Sequence, residues 1–99
     1  MGMWYNFVKR NRGTHMVVMV ADHALKHGLT ESEILHAWEN YVRMQQRPAP
    51  DEEYIAAVGC TKSGDMVQMV AIVVEDGYLI IHAMTPPTTK VLRELGLAR

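Results

Sequence analysis

MVQMVAIVVEDGYLIIHAM, residues 66–84, decides how this chain folds. Two apolar runs, Met66 to Glu75 and Tyr78 to Met84, flank Glu75-Asp76-Gly77, which holds the Asp-Gly pair favoured by tight hairpin turns. A link this short forces the two runs into antiparallel pairing. The first run is apolar at nearly every position, which predicts a central strand with at least part of each face covered. The second run delivers an imidazole, His82, to its C-terminal end, just before Thr85-Pro86-Pro87 breaks the pairing. A strand's period of two places His82 on the face of Tyr78, Ile80 and Met84, with Leu79, Ile81 and Ala83 on the other. A titratable ring at a strand end beside a loop is well placed for chemistry. The plainer reading is a core-edge histidine bonded to a neighbouring carbonyl.

Working outward, Glu53 to Cys60 reads as a third strand, joined through the Gly-containing loop Thr61-Lys62-Ser63-Gly64-Asp65, so the three form a meander. Thr88-Thr89 caps a last helix through Leu95 that ends at Gly96. Upstream, Thr30-Glu31-Ser32-Glu33 is a capping-box pattern. The helix it opens carries Ile34, Leu35, Trp38, Tyr41 and Val42 at helical spacing, and Gln46-Arg47-Pro48-Ala49-Pro50-Asp51 is expected to end it. Before it, the apolar run Met16–Val20 leads into a short helix from Asp22, its expected N-cap, to His27, with Gly28 at the left-handed C′ position. The expected fold class is α+β, in the order α-α-β-β-β-α, with helices packed on a small antiparallel sheet of three to four strands. Residues 16–99 form the single domain of this reading. Residues 1–15 are set apart as an N-terminal extension with an exposed basic turn, Lys9-Arg10-Asn11-Arg12-Gly13. Gly13-Thr14-His15-Met16 resembles the scar that expression vectors leave before a starting Met.

Ninety-nine residues, 48% hydrophobic and 21% charged, suit one core of an ordinary globular domain. A single cysteine, Cys60, excludes an intrachain disulfide framework and fits a reducing cytoplasm. No apolar run reaches the roughly 18 residues of a membrane span, and residues 1–6 lack the pattern of a signal peptide or a myristoylation site. The expected localisation is cytoplasmic. The net charge of −1 hides an asymmetry. Lys9, Arg10, Arg12 and Lys26 face only Asp22 in residues 1–28, whereas residues 29–53 set six acidic groups against Arg43 and Arg47. A protein bound to nucleic acid through many phosphate contacts usually has a larger basic excess.

His23 and His27 lie four apart, a spacing that suits two metal ligands, but nothing local supplies a third, so no metal is assigned. His27 also lies near a helix C-terminus, where the dipole favours its protonated form. His36 falls with Glu33, Glu39 and Asn40 on the polar side of its helix. Gly59-Cys60-Thr61-Lys62-Ser63-Gly64 lacks the order of a phosphate loop and runs from strand to strand, so no helix N-terminus faces a ligand. Cys60 has no neighbour placed by sequence to lower its pKa. The eight methionines fit the role of core gap-fillers.

Lys26-His27-Gly28-Leu29, an Ile-x-x-Ala-Trp helix, a strand entering Gly59 and the terminal Ile80-Ile81-His82-Ala83-Met84 follow a familiar order. Together they resemble BrnT-type toxins of bacterial toxin–antitoxin pairs, within the RelE/ParE-like superfamily, over roughly residues 20–95. The resemblance implies a cofactor-free endoribonuclease that arrests translation by acting on RNA, free or at the ribosome. It also implies neutralisation by a cognate antitoxin, and it leaves room for a homodimer. RNA cleavage needs a base, an acid and cations for the developing phosphate charge. On this reading His82 is the base or acid, and Lys26 and Lys90 are the favoured catalytic cations. Arg43, Arg47, Lys62 and Arg93 are the pool for RNA binding. Tyr78 shares the expected His82 face about 13 Å away, at roughly 3.3 Å per residue. The family's strand usually ends Ile-Ser-Ala-Arg; here His82 stands at the Ser and Met84 at the Arg. That removes a bidentate phosphate contact, so either a nearby Lys or Arg compensates or the activity is changed. The rival reading is a non-catalytic module that binds a protein partner on the same scaffold.

Overall fold

The computed structural model describes residues 4–11 and 14–99, with side chains from Val17 onward. In chain order it comprises β1 (Trp4–Asn11), β2 (Thr14–Ala21), a 3-10 turn (Asp22–Leu25), α1 (Glu31–Glu39), β3 (Tyr41–Gln46), β4 (Tyr54–Cys60), β5 (Met66–Val74), β6 (Gly77–Met84) and α2 (Thr89–Glu94). The strands form one six-stranded sheet in the order β1-β2-β6-β5-β4-β3. The α+β class stands, and so does the meander: β4, β5 and β6 pair antiparallel in sequence. Asp76 at the turn takes φ +67, the left-handed conformation that Asp tolerates in tight turns.

The expected strand count and element order need correction. The sheet has six strands rather than three or four, and it is mixed, because β2 pairs parallel with β6 from Val17↔Gly77 to Val20↔Ile80. The run Met16–Val20 is part of β2, whose other edge pairs with β1 from Trp4↔Ala21 to Asn11↔Thr14. Most of the segment set apart as an extension therefore has its backbone paired in the sheet. Residues 1–3, Arg12 and Gly13 lie outside the described residues, and with the last two goes the end of the basic turn. Asp22 is the first residue of a single 3-10 turn rather than the N-cap of an α-helix; the cap position is Ala21 and has no side-chain bond. Gly28 closes the segment at φ +89 as expected.

The main helix is shorter than its apolar stripe suggests. The capping box forms in full, with Thr30 Oγ1 accepting from Glu33 N at 3.1 Å and Glu33 Oε1 accepting from Thr30 N at 2.8 Å. The helix then stops at Asn40, whose Nδ2 donates to His36 O at 2.8 Å and satisfies a terminal carbonyl. Tyr41 and Val42, expected in the buried stripe, are 53% and 51% exposed and open the edge strand β3 instead. The sheet dictates this exit. Gly59 on β4 lies so close to the helix that a Cβ there would sit 1.9 Å from Ala37 O, and Tyr41 pairs with Gly59 directly. Thr30→Ala is expected to cost about 1 kcal/mol, read in a thermal melt as a fall of roughly 4–8 °C in Tm.

Both sheet faces are covered. On one, α1 and the 3-10 turn place Ala24, Ile34, Leu35 and Trp38 over Val18, Val20, Met69, Ala71 and Ile80. On the other, Val91 of α2 and Leu95 at its C-cap cover Ala56 and Val58. Alternation along β6 breaks once. Its pairing with β5 runs Ala71↔Ile80 and then Val70↔His82, so Ile81 is the extra residue of a β-bulge. Tyr78 lies on the α1 face, its ring 5.3 Å from that of Trp38, and Ile80 belongs to the same core. Past the bulge Ala83 takes that face, so His82 turns to the opposite one. The expected sharing of a face by His82, Tyr78 and Ile80 is thus corrected; Met84 does share it with His82.

Candidate functional site

The face reached through the bulge carries Gln68, the one polar side chain in the apolar strand β5. Its residue is 5% exposed, and a buried amide without partners would cost several kcal/mol. All its bonds are supplied locally. Gln68 Nε2 lies 2.9 Å from His82 Nε2, while Gln68 Oε1 accepts from Thr88 N at 2.7 Å and from Thr88 Oγ1 at 3.0 Å. Thr88 is the N-cap of α2, its hydroxyl accepting from Val91 N at 3.3 Å. His82 is thus tied to a side-chain amide rather than to the carbonyl of the plainer reading.

The parallel pairing of β2 with β6 carries the chain past Ala21 to the C-terminal end of β6. There the His27 ring meets the His82 ring edge-on, with centroids 5.7 Å apart and planes at 76°. His23, Lys26 and His27 are exposed, whereas His82 is half-buried. Burial is the main cause that lowers the His82 pKa below 6.5, and the charges of His27, Lys26, His23 and, last, Arg47 push it the same way. Between that lowered value and 6.5 the unfolded chain binds the His82 proton and the folded chain does not, so stability rises with pH across this window. Acidification below about 6.5 is therefore expected to destabilise the wild type more than His82→Ala, as measured by urea denaturation at a series of pH values.

The other candidate residues separate into two groups. Lys26 directly precedes His27, and its charge is one of the causes that lower the His82 pKa. Lys90, exposed in the first turn of α2, is not among the charges that act on His82. Arg43 donates to Leu95 O at 3.2 Å, Arg93 to Arg99 O at 2.7 Å, and Arg47 makes a two-point contact with Glu94 at 2.8 and 3.2 Å. These three arginines clamp α2 and the residues after it. The Glu94 bond raises the Arg47 pKa further. Lys62 is exposed in a loop that turns its own amides inward: Thr61 N donates to Asp65 O, Gly64 N to Thr61 O and Asp65 N to Thr61 Oγ1. Among the described residues no three His, Cys, Asp or Glu side chains gather to hold a metal ion, and no helix is long and apolar enough to cross a membrane.

Sequence reasoning missed Gln68 and the approach of His27 to His82. A signal for the first existed, since a lone amide inside an apolar strand requires buried partners. The second depended on a strand pairing that no local pattern announces. Among known proteins, no family model, curated sequence or solved structure matches this chain.

Proposed function

We propose that this chain is a cytoplasmic, toxin-like ribonuclease of the BrnT kind, whose site is the cluster of His23, Lys26, His27 and His82. The observation that carries the reading is the 5.7 Å approach of two imidazoles from distant segments, with the Lys26 ammonium acting on the same place. Metal-independent RNA cleavage takes a proton from the 2′-hydroxyl, forms the O2′–P bond and breaks the P–O5′ bond. A cyclic phosphate remains, and an acid protonates the departing 5′ oxygen. Two adjacent rings offer a group for proton transfer and a donor for phosphoryl oxygen, and Lys26 offsets the charge that builds on phosphorus. With Met84 at the family's Arg position and three arginines committed to α2 and the chain end, Lys26 is the compensating cation. The meander between α1 and α2 supports the RelE-like scaffold of this proposal.

One observation favours the rival, a non-catalytic interaction module. Strand β3 has only β4 as a partner in the described sheet, and its Tyr41 and Val42 are exposed. An edge of this kind accepts an added strand from another chain, the antitoxin included. Induction in bacteria of the wild type beside His82→Ala, with matched expression and Tm, separates the two. Growth arrest with RNA cleavage that the substitution removes supports the ribonuclease. Normal growth and intact RNA from a folded wild type would overturn it in favour of the interaction module.

A further inference from the structure

We propose that Gln68 is a positioning residue of this site: anchored by Thr88, its amide donates to His82 Nε2 and leaves that ring a neutral Nδ1–H donor for a phosphoryl oxygen. A backbone N–H can only donate, so the Gln68 atom 2.7 Å from Thr88 N must be the carbonyl oxygen. The Thr88 hydroxyl, 3.0 Å from the same oxygen, adds a second contact. The NH2 end of the amide therefore faces His82 at 2.9 Å. That end has only protons to offer, so His82 Nε2 must present its lone pair, and a neutral imidazole then carries its proton on Nδ1. Protonating Nε2 would set N–H against N–H. Flipping the amide to relieve this would turn its NH2 onto the Thr88 N–H, so both ends resist.

Nδ1 of His82 makes no hydrogen bond to the described residues, and no buried side-chain nitrogen or oxygen among them lacks one. Among the described residues Nδ1 is therefore left free to donate. With its lone pair held against Gln68, His82 can neither abstract a proton nor ligate a metal through Nε2. It offers a donor close to the His27 ring and within range of the Lys26 charge, and the acceptor that suits such a place is an oxyanion such as a phosphodiester. Resting on the ribonuclease reading, this divides the work. His82 holds a non-bridging phosphoryl oxygen, the 2′-hydroxyl proton goes to His27 as the O2′–P bond forms, and water protonates the departing 5′ oxygen as the P–O5′ bond breaks. The neutral imidazole thereby serves as an electrophile rather than a base.

Long-range proton–nitrogen NMR of the histidines in the ¹⁵N-labelled full chain tests this without RNA. Near neutral pH the wild type is expected to show His82 protonated on Nδ1 and unprotonated on Nε2. Gln68→Glu keeps an oxygen for Thr88 and turns a second one to the ring. It is expected to move the proton to Nε2 and to raise the pH at which His82 titrates. A wild-type ring protonated on Nε2, or exchanging between both forms, overturns the proposal, as does a Gln68→Glu spectrum unchanged from wild type. Should that variant not fold, the wild-type spectrum alone decides. Inorganic phosphate is the ligand probe: a shift of His82 Nδ1 on its addition supports the oxyanion role, and none at saturating phosphate overturns it. Because neither reading uses cleavage, a failure here is distinguishable from a failure of the ribonuclease proposal.

Discussion

Gly59→Ala is expected to destabilise the fold by at least about 3 kcal/mol, beyond the usual range for an added methyl group. The added Cβ would lie 1.9 Å from Ala37 O, 2.8 Å from Ala37 C and 3.2 Å from Tyr41 Cα. All three are backbone atoms, so no side-chain rotation makes room. Relief requires lifting the end of α1 off β4, which uncovers Ala37 and Trp38, or unpairing Tyr41 at the start of β3. Urea denaturation of the variant would measure the loss, and a thermal melt should show a fall of more than roughly 12 °C. Gly77→Ala makes a matched comparison, because its Cβ would meet Val17 O at 1.8 Å across the parallel β2–β6 pair. Gly59→Ala within 1 kcal/mol of wild type would refute the close helix–sheet contact that ends α1.

On the proposed ribonuclease reading, Lys26→Ala is expected to leave the fold intact and to reduce RNA cleavage about 10²–10³-fold, the usual cost of removing one group that stabilises transition-state charge. Lys26 is exposed and its truncation opens no cavity, so stability should stay within about 0.5 kcal/mol of wild type. Its charge acts on His82 through space, so the same variant should let His82 titrate closer to 6.5. Lys26→Arg keeps the charge and is expected to recover most of the cleavage. Single-turnover cleavage of a short RNA by both variants, followed against added salt, makes the measurement. Wild-type cleavage by Lys26→Ala would remove the cluster from the chemistry.

Several features were legible because their partners lie within a few residues of one another. The Thr30–Glu33 box, the Asp76-Gly77 turn and the Thr88 cap each depend on bonds that local spacing already permits. The apolar runs of β4, β5 and β6 show as strands because both their sides are largely buried. Tyr41–Gln46 misled for the opposite reason. Its side chains are mostly exposed and Tyr41 and Val42 happened to extend the helical stripe, while the strand itself is held by backbone bonds to β4. Part of the site was legible in the same way: His82, Lys26, His23 and His27 each drew notice as residues, but Gln68 and the meeting of the His27 and His82 rings did not.

The caps, the hairpin, the meander and the burial of the central strand follow from contiguous residues, because short-range bonding and hydrophobic periodicity are local properties. Long-range pairing alone brings β2 alongside β6 in parallel, bulges Ile81 so that His82 turns across the sheet, and lets His27 and Gln68 meet its ring from different elements. These depend on which backbones pair and in what register. That choice is made by the packing of the whole sheet, because a ladder bond carries no record of the side chains beside it.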